Sequence, residues 1–215
     1  MTTRAPEDVV VVSYLTLRRV VGVLGMALPV VVAVWGFVLL RGLHLLPSIS
    51  DYYGLRTRDA FVGILFTIAW FLYTYRGYDR KDDLAGDWAG LFALGVALSP
   101  NSGTPLEQIL HYLSASGLFL VLAYFSAVLF TKSGGSPTPR KLIRNHVYRA
   151  CGVAMLLCIA LIALYQAALS GTPVARLHPV FWLETLALWA FGVSWFVKGE
   201  TILKDKEPAR PAVTA

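Results

Sequence analysis

Six long apolar stretches, each ended by a few polar or turn-forming residues, organise this chain from one end to the other. They cover about 20–40, 60–75, 84–99, 107–131, 147–169 and 180–197. Within them apolar positions do not alternate with polar ones, as they would in the roughly ten-residue strands of a membrane barrel. A run of about 20 apolar residues matches a helix crossing roughly 30 Å of hydrocarbon. Backbone placed there must satisfy its hydrogen bonds internally. The pattern therefore predicts an all-α integral membrane bundle of six transmembrane helices in one domain, residues 1–199. A disordered polar tail with Pro208 and Pro211 follows over 200–215.

The interruptions refine the elements. Residues 1–17 carry Arg4, Glu7 and Asp8 before an apolar patch, which predicts a short amphipathic piece along the interface. The run 20–40 is longer than the apolar region of a signal peptide and has no small-residue cleavage pattern, so it is expected to remain as an anchor, kinked at Pro29. The stretch 84–99 barely reaches across the bilayer. Its Gly86, Gly90, Ala93 and Ala97 share one face, however, and that face lets neighbouring helices approach closely. Pro100, Asn101, Ser102, Gly103 and Pro105 predict a turn. The segment from Lys132 to Asn145, with Gly134, Gly135, Pro137 and Pro139, predicts a flexible loop.

Composition agrees with a bilayer as solvent: 56% of residues are hydrophobic and 15% charged, too few charges to coat a globule in water. The net charge of +6 does not point to nucleic acid, because the basic residues punctuate the apolar runs instead of forming a patch. Their placement predicts orientation. With the amino terminus inside, fifteen of the nineteen Lys and Arg fall on inner segments, and only Arg41, Arg56, Arg58 and Arg176 fall outside. Both termini are thus expected in the cytoplasm, with the chain multi-pass in a bacterial inner membrane. Cys151 and Cys158 lie about 10 Å apart along one helix, too far for a disulfide, and are expected as packing residues.

Ionisable residues inside spans are costly and mark candidate sites. The predicted topology gathers polar and ionisable residues at the outer face: His111, with Glu107 and Ser114 on the same helical face; Glu184; Ser48, Ser50, Asp51, Tyr52, Tyr53, Arg56, Arg58 and Asp59 in the first outer loop; and Gln166 with Tyr165. One reading is an outward-facing pocket for a lipid or small amphiphile, with Arg56 or Arg58 meeting a phosphate or carboxylate. A second is a membrane-embedded lipid hydrolase in which His111 is the base, oriented by Glu184 or Asp51. A small-molecule transporter is a third, though neither an internal repeat nor a pair of broken helices is evident. A purely structural reading also accounts for much: His111 bonding a neighbouring helix, Glu184 capping its own helix or pairing with Arg176, Asp59 opening the second helix.

Metal and cofactor chemistry find little support. His44, His111, His146 and His178 show no paired ligand spacing, and no G-x-S-x-G nucleophile motif occurs. The same histidines do not face each other as haem ligands would. No metal and no cofactor are expected, and membrane lipids are the expected partners, with no nucleic acid. At the inner face Arg140, Lys141, Arg144 and Arg149 suit contact with anionic lipid. Lys198 and Glu200 are expected there as interfacial charges.

The runs Tyr52-Tyr53-Gly54, Arg58-Asp59-Ala60-Phe61-Val62-Gly63, Tyr75-Arg76-Gly77-Tyr78, Arg144-Asn145 and Trp195-Phe196-Val197-Lys198-Gly199, together with His111, resemble a family of uncharacterised bacterial multi-span membrane proteins over nearly the whole chain. That resemblance implies the architecture and no particular activity. The layout with a polar first outer loop is also similar to the Frag/DRAM/Sfk group, which implies a link to membrane lipid handling. The ceramidase and progestin-receptor hydrolase superfamily likewise places Ser, His and Asp in a helical bundle, but this chain lacks its paired terminal histidines.

Overall fold

The computed structural model of the chain describes residues 6–42, 45–133, 135–200 and 202–203. His44 and residues 204–215 of the expected tail lie outside them. Among the described residues are six α-helices and no strand: α1 (Pro6–Leu39), α2 (Arg58–Tyr73), α3 (Arg80–Leu98), α4 (Pro105–Ala127), α5 (Pro139–Ala168) and α6 (Pro179–Lys198). Short 3-10 turns occupy Ser50–Gly54, Leu129–Thr131 and Pro173–Leu177. Four stretches are long and apolar enough to cross a membrane: Tyr14–Leu39, Pro105–Thr131, Pro139–Ala168 and Pro179–Lys198. By contrast α2 has 16 residues, and α3 opens with Arg80, Lys81, Asp82 and Asp83.

Local chemistry sets where the helices begin. Asp79 caps α3 and forms a reciprocal box with Asp82; Thr104 does the same for α4 with Glu107. At α5 the Thr138 hydroxyl accepts the Lys141 N–H at 3.0 Å and Pro139 takes the first helical position. The expected loop over 132–145 therefore ends at Thr138, and α5 starts at Pro139 instead of near residue 147. A proline that resembles a loop residue is here a helix initiator, because its missing N–H would be an orphan in the first turn anyway. Likewise α1 is continuous from Pro6 through Pro29 to Leu39, so residues 6–17 belong to that helix and not to a separate interfacial piece.

Each helix packs on the next in sequence, α6 returns to α1, and α4 also touches α6, so the bundle closes on itself. Glycines set the tightest crossings. A Cβ on Gly86 or Gly90 of α3 would stand 2.6 and 2.9 Å from the Leu72 and Ala69 carbonyl oxygens of α2. The same occurs between α1 and α6, where a Cβ on Gly22 would stand 2.7 Å from the Gly192 oxygen. Leu28, Phe61, Phe125, Met155 and Trp195 fill the interior, where the Ser126 hydroxyl also donates to Ser194 Oγ at 2.8 Å. Leucines and valines cover the outside instead: Leu98 is 62% exposed, Leu113 64% and Val38 71%. That inversion of the soluble pattern suits an apolar surrounding. Cys151 and Cys158 are free and buried.

Candidate functional site

The connection between α1 and α2 folds back over the end of the bundle at which α4 and α6 begin. Ser48, Ile49 and Ser50 are buried there despite lying in a loop, which is possible only because their polar groups are met. The Ser48 N–H donates to Asp51 Oδ2 at 2.9 Å, and the Asp51 N–H to Ser48 Oγ at 3.1 Å. Across to α6, Glu184 accepts the Ile49 N–H at 2.6 Å, while the Phe181 N–H, an otherwise orphaned donor in the first helical turn, reaches the Pro47 oxygen at 2.9 Å. Toward α3 and α4, the Asn101 amide donates to Asp51 Oδ1 at 2.6 Å. Tyr52 then tucks its ring against α1, where a Cβ at Gly36 would collide with it. Burial pushes the Tyr52 phenol above its ordinary pKa and the nearby Asp51 carboxylate adds to this, so the ring stays neutral.

His111, 2% exposed in the second turn of α4, joins this strap to the bundle. Its Nδ1 lies 2.7 Å from the Ser99 carbonyl oxygen at the end of α3, and its Nε2 lies 2.9 Å from Ser50 Oγ. A carbonyl can only accept, so Nδ1 carries the proton. Nε2 of the neutral ring is then the acceptor, and the Ser50 hydroxyl is the donor. The result is a serine hydroxyl bonded to an imidazole whose tautomer and orientation are fixed by a backbone carbonyl.

A cavity of about 700 Å³ lies between this strap and α4, α5 and α6. Near the helix ends its wall is polar, formed by Ser50, Asp51, Asn101, His111, Gln166 and Glu184. Deeper, the wall becomes apolar, with Ala115 and Phe119 on α4 and Ile159, Ile162 and Ala163 on α5. From His111 to Phe119 the wall descends about 12 Å along α4. The cavity is thus hydrogen-bonding at one end and hydrocarbon-like at the other.

Of the residues singled out from sequence, His111, Glu184, Asp51, Ser48, Ser50, Tyr165 and Gln166 come together at the cavity. Neither carboxylate hydrogen-bonds His111; the Ser99 carbonyl orients the ring instead, and Glu184 holds the strap instead of capping α6. The remaining candidates stand elsewhere. Tyr52 is buried behind the strap and Arg56 is exposed. Arg58 and Asp59 border a separate hollow, where the Arg58 guanidinium lies 4.7 Å over the Tyr53 ring. Glu107 receives the Thr104 N–H at 2.7 Å as part of the α4 cap. Ser114 faces Gly95 of α3. Asn101 and His178 line the cavity as well. As residues of a loop or turn they carried no signal beyond their proximity to it. Among the described residues no group of three or more His, Cys, Asp or Glu donors stands together for a metal.

Set against known proteins, the chain matches no family model, no curated protein and no solved structure. What the site does is therefore argued from its own geometry.

Proposed function

We propose that this chain is a six-span membrane protein, both termini cytoplasmic in a bacterial inner membrane, that holds a lipid or other small amphiphile in the cavity at its outer end. The observation that carries the ligand is the gradient of the cavity wall, from Asp51, His111 and Glu184 to Phe119 and Ile159. A polar head and an apolar tail fit such a wall in one orientation only, since burying the tail among polar groups or the head among phenyl and isoleucine side chains is unfavourable. Six crossings are supported by α3, whose Leu84, Trp88, Leu91 and Leu98 form an exposed apolar stripe at helical spacing despite its charged first turn. Orientation rests on the fifteen-to-four distribution of Lys and Arg.

The cavity is tested by filling its apolar half. Ala115→Phe and Ala163→Phe, made separately, leave the polar rim untouched. Each is expected to purify in mild detergent without the amphiphile that mass spectrometry finds on the parent protein. A parent protein that carries no amphiphile, or filled variants that carry it unchanged, would rule the reading out.

A second reading is favoured by the hydrogen bond from Ser50 to His111: an ester hydrolase acting on the bound amphiphile. As Ser50 Oγ bonds to the ester carbonyl carbon, His111 Nε2 takes its proton and passes it to the departing alkoxide. An alcohol leaves and an acyl-serine remains, which water cleaves to the free acid and Ser50.

A further inference from the structure

The polar end of the larger cavity has a one-sided charge pattern. Asp51 and Glu184 line it, and among the described residues its wall holds no lysine or arginine. Arg41, Arg56 and Arg176, the cations nearest in sequence to the lining segments, are exposed. One strap holds both carboxylates: Asp51 Oδ2 accepts the Ser48 N–H at 2.9 Å, and Glu184 accepts the N–H of the next residue, Ile49, at 2.6 Å. Neighbouring backbone groups thus bring two acidic side chains to one end of the cavity. Neither makes an ion pair among the described residues. His111 supplies no charge, because its N–H is directed at the Ser99 carbonyl and its Nε2 accepts from Ser50. Asp51 Oδ1 takes the Asn101 amide at 2.6 Å. A carboxylate only accepts, so the Asn101 nitrogen faces Asp51 and the Asn101 Oδ1 is left buried without a partner. The Nδ1 of His178, on the same wall, is likewise buried and unpartnered.

Carboxylates held by neutral donors keep spare lone pairs and lack a counter-charge, so the head that matches them donates hydrogen bonds and is positively charged. An ammonium group has three donors and no acceptor. A head that ends in phosphate or carboxylate would meet like charge there. A neutral hydroxyl could meet the acceptors but would leave the acidic pair unbalanced. On the reading of this cavity as an amphiphile site, we propose that the bound molecule ends in an ammonium group, received by Asp51 and Glu184, and is either a simple long-chain amine or a zwitterionic lipid with a terminal amine. The phosphate or carboxylate expected to meet Arg56 or Arg58 has no such partner on this wall, since Arg58 borders a separate hollow.

The test uses the intact protein in an uncharged detergent, with bound molecules followed by native mass spectrometry. Dodecylamine, dodecanol and dodecanoate share a tail and differ in the head. Dodecylamine is expected to bind roughly tenfold more tightly than either of the others. Non-specific attraction to a chain of net charge +6 would favour dodecanoate instead. Lauroyl lysophosphatidylethanolamine and lauroyl lysophosphatidylglycerol then separate the sources. A preference for the former assigns the zwitterionic lipid, a preference confined to dodecylamine assigns the simple amine, and either supports the ammonium head. Asp51→Asn and Glu184→Gln each keep an accepting oxygen for the strap, and each should bring dodecylamine down toward dodecanol. Asp59→Asn, exposed at the separate hollow, should leave the order as it is. Ala163→Phe should abolish binding of all three single-tail probes. If it does, but the parent protein shows no preference for the amine or keeps that preference in both carboxylate variants, the ammonium head is overturned and the amphiphile site stands. If no probe binds, or Ala163→Phe binds them unchanged, both fall.

Discussion

At the scale of single residues, the decisive contact is the one between Ser50 and His111. If the pair is only a structural tie, Ser50 is an ordinary hydroxyl. If His111 works as a base, Ser50 is a nucleophile and should react with a fluorophosphonate ester of amphiphilic shape. Labelling at Ser50 that is lost in Ser50→Ala and in His111→Ala, but retained in Asp51→Asn, is the expected result for the hydrolase reading; a serine that stays unlabelled would leave the cavity as a binding site only. Removing His111 also strips partners from two buried groups, the Ser99 carbonyl and the Ser50 hydroxyl, so a loss of about 1–3 kcal/mol in stability should accompany that variant. His111, Glu184 and Asp51 were legible because an ionisable side chain in or beside an apolar run stands out. Ser50 stood out only as one polar residue of the outer loop among several, and Asn101 only as part of a turn, since serine and asparagine are common in turns and only the fold reveals which of them face inward. Arg58, at the start of α2, stands apart from them at a separate hollow, where its guanidinium lies over the aromatic face of Tyr53.

At the scale of elements, the helices follow from apolar length, but their joins follow from small residues. The face of α3 that carries Gly86 and Gly90 was visible because the glycines recur one turn apart in a stretch otherwise too short. The crossing of α1 on α6 was not. Gly22 and Gly192 lie far apart in sequence and nothing local marks them as partners, yet a Cβ on Gly192 would stand 2.6 Å from the Gly22 oxygen and would also press on Met26. Gly192→Ala should therefore force the two helices apart and cost about 1–3 kcal/mol, read as a fall in thermal midpoint in detergent. A midpoint equal to that of the parent protein would show that the crossing is looser than its backbone distance indicates. The start of α5 teaches a related lesson. Gly134, Gly135 and Pro137 are loop signals, and Thr138-Pro139 is a helix start, but the two types of proline signal look alike until the cap is seen.

At the scale of the whole molecule, the all-helical architecture and the helices long and apolar enough to cross a membrane were readable from the apolar runs, whereas the number of crossings depends on α2 and α3. Hydropathy alone marks four candidate spans, because α2 is short and α3 starts with charges. Reporter fusions decide between the counts. With six crossings, a fluorescent protein that matures only in the cytoplasm should glow when fused at either terminus or after Gly77, and a phosphatase that folds only outside should be active after Ser102. A reporter after Gly77 that behaves as external, or two termini on opposite sides, would break the six-span account.

The strap of residues 47–51 has a mechanical consequence. It grips α6 through Glu184 and Pro47, and the adjoining ends of α3 and α4 through Ser50 and Asp51, so five consecutive residues tie the rim together. Polar networks of this kind give way together sooner than one bond at a time. On the proposed reading, a guest that wedges α4 away from α6 among the apolar side chains would tug on the same knot that closes the polar rim, and the link between the first two helices would be the place where occupancy is felt.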